Sequence, residues 1–326
     1  MKQLQRSLIF LVIILIAFFV IKYSFLSNKM RKSKTEQQLT EAWIGPDLAS
    51  DTTVKGEERS LIKYGHELIA HTSKYLGPNG SVAKITNGMN CQNCHLNAGN
   101  QPWGNNYGAV YSTYPKFRDR SGKIESIYKR VSDCMERSLN GRSLDSNSRE
   151  FIAIYTYIKY LGKNVQKDIK PYGSGIEKLS LISRAANPKM GRIIYIAKCQ
   201  ICHGNNGQGQ LLATKDEYAY PPVWGDHSYN DGAGLYRISN LAGYIKNNMP
   251  FLQTTHDRPM LTDEQCWDLA AFINSQTRPH MDQSNDWPNI KKKPFDYAWG
   301  PYADSYSEEQ HKFGPYQFIL KNNSLK

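Results

Sequence analysis

Residues 91–95 read Cys-Gln-Asn-Cys-His and residues 199–203 read Cys-Gln-Ile-Cys-His. Two thiols three positions apart suit thioether bonds to the two vinyl groups of a haem, and the adjacent histidine supplies the proximal nitrogen to iron. One such pentad arises by chance in a chain of this composition with probability roughly 0.003, so a pair is no accident. A zinc site would need further Cys or His pairs at ligand spacing, which the sequence lacks. Two covalently bound haem c groups are therefore expected, one on Cys91, Cys94 and His95, the other on Cys199, Cys202 and His203.

The group on the far side of each iron separates electron transfer from catalysis. For the second haem, Met249 in Asn-Asn-Met-Pro follows His203 by 46 residues. A loop methionine followed by proline suits a distal ligand, with Met260 its nearest competitor. Between His95 and the next domain the only methionine is Met135, which adjoins Cys134. Read as a helix, residues 122–139 place Ile124, Ile127, Tyr128, Val131 and Met135 on an apolar face. Arg130, Cys134 and Ser138 then recur at i, i+4 and i+8 as a neighbouring stripe. An unpaired thiol 39 residues after a proximal histidine, in an exported protein, reads as the distal ligand Cys134 rather than as core filling. His66 and His71, on a helix ahead of the first haem, are its rivals.

These residues resemble those of a known family, the dihaem thiosulfate dehydrogenases, also called tetrathionate reductases. The matching stretches are CQNCH, YPKFRDRSGKIESIYKRVSDCMERSLNG at 114–141, CQICH, and NNMP at 247–250, within roughly residues 60–280. The resemblance implies two packed cytochrome c domains, the first similar to the Sox-system cytochrome with a cysteine-ligated haem. It implies an active site at that haem, with Cys134 in the family's cysteine position and Arg120, Arg130 and Ser138 in its substrate-binding positions. Some members carry lysine just before the distal methionine; here that position is Asn248.

Joining two thiosulfates into tetrathionate releases two electrons, which matches two one-electron haems. Arginine forks suit sulfonate oxygens, Ser138 adds a neutral hydrogen bond, and the Cys134 thiolate is a covalent handle. Electrons would pass to the second haem and on to a soluble carrier such as a small cytochrome c. A plain dihaem electron carrier and a Sox-type cytochrome carrying sulfur on a partner protein stay open as alternatives; methionine at both haems would mark the first, a required protein partner the second.

Elements must position these groups. A helical stretch over 57–76 has Leu61, Gly65, Leu68 and Thr72 on one stripe, and another opens at Ser148 with Phe151, Ile154, Tyr155, Ile158 and Leu161 at helical spacing. The last helix of the second unit starts at Thr262-Asp263-Glu264-Gln265, a capping-box pattern. Cys266 beside Trp267 reads as packing. No long strand pattern appears, so the expected fold is mainly α: two class I cytochrome c-type domains, each with one covalent haem. Gly and Pro breakers over 162–176 divide them, giving domains at 29–165 and 166–280 and a C-terminal extension at 281–326 that wraps the surface. Residues 29–56 read as a polar linker.

The N-terminus carries Lys2 and Arg6 ahead of 14 apolar residues, Leu8–Ile21. That is a secretory signal or an uncleaved anchor over 1–28, and it places the globular part in the bacterial periplasm, as haem attachment requires. The chain has 326 residues, a net charge of +12, 40% hydrophobic and 21% charged residues. Such values suit about two soluble domains and exclude a polytopic membrane protein or a disordered chain. No basic run is interleaved with stacking aromatics, so the surplus charge suits small anions or an acidic redox partner, not nucleic acid.

Overall fold

A computed structural model of the chain describes the backbone of residues 2–324, and side chains there except at 2–12, 14, 28 and 322–324. Helix α1 (Lys2–Thr40) leads in; the side chains of Leu8–Val12 and Ile14 lie outside that description. Among the described residues no helix is long and apolar enough to cross a membrane. The stretch read as a polar linker is more ordered than that: α1 runs to Thr40, and Trp43 and Val54 enter the first core, with Leu48 packed against it. Trp43 N–H donates to Tyr172 O at 2.8 Å.

The first domain is built on α2 (Gly56–Ala70) crossing a later helix that spans Arg149–Leu161. The crossing is at Gly65, where a Cβ would collide with the Ala153 carbonyl. Around it Ile62, Leu68, Ile154, Tyr157, Ile158 and Leu161 are buried in one core. The expected single helix over 57–76 is broken at His71, after which a short turn (Thr72–Leu76) redirects the chain. Ser148 caps the later helix by accepting from Phe151 N–H.

A hairpin and a short helix lie between these two. Strand β1 (Lys116–Arg118) pairs antiparallel with β2 (Lys123–Glu125), Phe117 opposite Ile124. Helix α3 (Ile127–Asp133) follows and widens into a π-helical turn, Cys134–Ser138. The helix read over 122–139 is thus too long at its start. Gly122 at φ 65° closes a tight turn, and Ser126 caps the helix four residues later, accepting from Lys129 N–H at 3.3 Å. Ile124 consequently lies exposed on the hairpin and off the apolar face. The helix spanning Arg149–Leu161 is α4.

The second domain repeats the crossing. Helix α5 (Pro188–Lys198) packs on α7 (Asp263–Asn274), with Gly191 against the Asp268 carbonyl, and α6 (Ile238–Asn248) packs beside α7. The capping box at Thr262 and Gln265 is present, and Cys266 is fully buried in the core. The C-terminal extension does more than wrap: Tyr316 and Ile319 are fully buried in this core, Tyr316 beside Trp267 with ring centroids 5.6 Å apart.

Replacing Gly65 by Ala forces a methyl into a backbone carbonyl at the α2–α4 crossing. It should cost about 1–3 kcal/mol of stability, read by thermal or denaturant unfolding of the holoprotein. An unchanged midpoint would mean the helices do not meet there.

Candidate active site

The first haem motif is fastened to the end of α2. Cys91 N–H donates to Thr72 Oγ1 at 2.9 Å, Gln92 Nε2 donates to Ala70 O at 2.7 Å, and Asn90 and Asn93 cap the intervening turn reciprocally. His95 Nδ1–H donates to Asn105 O at 2.5 Å, which leaves Nε2 as the free lone pair. Burial pushes the imidazole down to about 4, so it is held neutral, the form that binds iron. Cys91, Cys94 and His95 line one cavity whose apolar wall includes Leu76 and, from α4, Ile154 and Ile158. Two thiols, a neutral imidazole and an apolar slot fit a covalently attached haem.

Cys134, Arg130 and Ser138 border the same cavity. The π turn advances the chain by i→i+5 bonding, with Leu139 N–H donating to Cys134 O at 3.0 Å, so the three do not follow a regular α-helical stripe. The Cys134 sulfur holds the neighbouring Arg130 guanidinium above the ordinary arginine range, more than any other group. Arg120 is placed differently. It does not border the cavity; it donates to Gly232 O at 3.0 Å and to the Tyr297 hydroxyl at 3.3 Å, and lies 3.6 Å from Asp286. Asp286 in turn takes two 2.9 Å bonds from Arg137, a residue of the π turn itself.

Sequence reasoning missed a cationic wall. Lys116, Arg118 and Lys170 border the cavity with Arg130, as does Tyr114. Burial, then the charges of Arg118, Arg130 and Lys170, hold the Lys116 ammonium below its usual range. Burial raises the Tyr114 phenol, and Arg118 and Arg130 pull it back. The available signal was the i, i+2, i+4 spacing of Tyr114, Lys116 and Arg118, which puts all three on one face of an extended segment. The rival histidines do not border the cavity. His66 meets the edge of Tyr157, and His71 Nδ1 lies 3.1 Å from Glu217 of the second domain.

In the second domain a turn of helix, Gln200–His203, follows α5, and His203 Nδ1–H donates to Pro221 O at 2.8 Å. Cys199 and Met249 pack against the same core, whereas Met260 is 47% exposed. Asn248, just before Met249, is buried: its amide donates to Trp103 O at 3.1 Å and Tyr244 O at 2.9 Å, and accepts from Gln101 at 3.2 Å.

A family model described as the SoxA/TsdA cytochrome c domain matches residues 81–166, and a cytochrome c model matches residues 189–277. These two domains each carry one covalently bound haem c. A thiosulfate dehydrogenase of Psychrobacter arcticus is 34% identical over 244 residues, 74% of this chain and 71% of that protein. One from Allochromatium vinosum is 34% identical over 199 residues, covering 60% and 72%. The solved structure of a thiosulfate dehydrogenase (TsdBA) from Marichromatium purpuratum superposes with a TM-score of 0.67 at 28% identity over 74% of this chain. This chain spans about half of that one, 51%. On sequence and on fold together, the chain belongs to the thiosulfate dehydrogenase family.

Proposed function

We propose that the chain interconverts thiosulfate and tetrathionate at the first haem, with Cys134 as its distal ligand and covalent handle. The observation that carries this reading is Cys134 on the wall of the His95 cavity, beside Arg130 and within a cluster of Lys116, Arg118 and Lys170. Four cations around a thiol suit a small dianion and not a neutral substrate.

The two haems, when bound, would supply two one-electron acceptors, which matches the two-electron couple. The residues of the chain do the rest. Arg130 and, on the π turn, Ser138 receive the sulfonate oxygens and aim the outer sulfur at Cys134 Sγ, while Arg120, held at the domain seam by Gly232, Tyr297 and Asp286, braces the π turn through Asp286 and Arg137. An S–S bond forms between them as two electrons leave, so Cys134 carries S–SO₃⁻. A second thiosulfate then attacks that outer sulfur; the Sγ–S bond breaks, tetrathionate departs and the Cys134 thiolate returns. Reduction runs the same steps backwards. Met249 would hold the iron of the second haem, a reading supported by its place against the core that holds Cys199 and by the exposure of Met260. Electrons exit there to a small soluble carrier such as a cytochrome c. Export to the periplasm, through the N-terminal segment as a cleaved signal or a retained anchor, belongs to the same proposal.

Cys134→Ala is expected to keep both haems covalently attached, because Cys91, Cys94, Cys199 and Cys202 carry the thioethers, and to lose turnover in both directions. Redox assays with thiosulfate and, separately, tetrathionate decide it; full activity in the variant would remove Cys134 from catalysis, and no activity in the wild type would return the chain to the plain electron carriers.

Arg130→Ala removes a half-buried cation from dianion recognition and should lower kcat/KM for thiosulfate by roughly ten- to a hundred-fold. Haem spectra should stay close to wild type. Wild-type kinetics at low substrate would place the anion site elsewhere.

Met249→Gly should lower the potential of the second haem and slow thiosulfate oxidation more than tetrathionate reduction, since a lower-potential exit is a poorer acceptor. Met260→Ala should leave both potentials unchanged. The reverse pattern in spectroelectrochemical titration would reassign the ligand.

A further inference from the structure

Tyr114 stands two residues ahead of β1, and its backbone is held from both sides. Its N–H donates to Val110 O at 3.1 Å, and its carbonyl accepts from Lys167 Nζ at 2.9 Å. The side chain is 7% exposed and borders the cavity with Cys134, and the Lys116 ammonium lies 4.8 Å from the ring centroid. Its buried hydroxyl has no hydrogen-bond partner among the described residues. Buried hydroxyls almost always have one, so a partner must arrive from outside the chain. The charges acting on the phenol include those of Arg118, Arg130, Glu125 and the Cys134 sulfur.

We propose that Tyr114 is a further substrate-contacting residue, its hydroxyl donating to a sulfonate oxygen held beside Arg130 and Cys134. This rests on the reading of the Cys134 site given above. A sulfonate presents three oxygens, and a guanidinium fork engages two of them in its own plane. The third needs a donor from another direction, and a neutral phenol supplies it without adding a further charge to an already cationic wall. A haem carboxylate is the other anion able to reach this cavity, and the two occupants predict different responses.

The test is Tyr114→Phe in the full-length holoprotein, a change that keeps the ring and removes only the donor. Three quantities are read: steady-state thiosulfate oxidation, calorimetric binding of tetrathionate to the fully oxidised protein, where no electrons are present for turnover, and the potential of the first haem. The expected result is an increase of about ten-fold in both the thiosulfate KM and the tetrathionate Kd, with kcat within about two-fold of wild type. The first-haem potential should be unchanged. Unaltered KM and Kd would overturn the proposal, as would a shifted first-haem potential with unaltered KM, which assigns the phenol to a haem carboxylate. A wild-type protein that turns over neither substrate would instead sink the reading of the Cys134 site; a working wild type with an indistinguishable Tyr114→Phe removes Tyr114 alone.

Discussion

Each core depends on one close crossing of two helices, made possible by a residue without a Cβ. At Gly65 the backbone of α2 lies against the Ala153 carbonyl of α4, and at Gly191 that of α5 lies against the Asp268 carbonyl of α7. Such proximity brings the faces of the paired helices within van der Waals reach and leaves space beside the crossing instead of within it. In the first domain that space is the haem cavity. One wall comes from Ile154 and Ile158 of α4, and its floor is the motif fastened through Thr72 to the end of α2. The crossing therefore sets where His95 stands, and the rest of the cavity is built to meet it.

What meets it is a segment with an unusual local path. A hairpin, a serine cap and a short helix end in a π turn, and each change of geometry swings different side chains inward. The hairpin presents Tyr114, Lys116 and Arg118; the helix and π turn present Arg130, Cys134 and Ser138. π turns are rare and concentrate at functional sites, where they re-aim a side chain at modest cost. Here the turn is braced from outside the domain. Arg137 is gripped by Asp286, Asn230 Nδ2 donates to Glu136 O at 2.9 Å, and Gly232 O accepts from Arg120. The placement of Cys134 is thus a joint product of the first domain, the second domain and the C-terminal extension.

The seam between domains also ties the first haem motif to the second domain. Tyr244 on α6 donates to Asn93 O at 3.1 Å, inside the first motif, and Asn248 on the same helix reaches the loop at Gln101–Trp103. On the other side Glu217 accepts from Asn90 at 3.0 Å, and Ser73 donates to Asp216 O at 2.5 Å. Helix α6 ends at Met249, so the first haem's attachment loop and the methionine segment of the second domain are linked through a single helix. Buried hydrogen bonds of this kind hold relative position more than they add net stability.

The two pentads, with the chemistry of thioethers and proximal histidines, were legible by composition and spacing alone, because covalent attachment demands those residues at that separation. Helix caps at Ser148 and Thr262 and the apolar faces they precede were legible for the same local reason. Cys134 beside Arg130 and Ser138 was legible as a spacing, though the helix supposed to carry it began too early and contained no π turn. The rest required the fold. Lys116, Arg118 and Lys170 are ordinary surface residues until a hairpin and a distant loop bring them to one cavity, and Asp286 is an unremarked acid until the extension returns it to Arg137. Burial of Tyr316 and Ile319 in the second core likewise depends on where the tail ends up. Spacing along a chain records contacts within one or two turns, whereas the charge cluster and the domain seam come from segments far apart in sequence, whose approach is decided only when the cores pack.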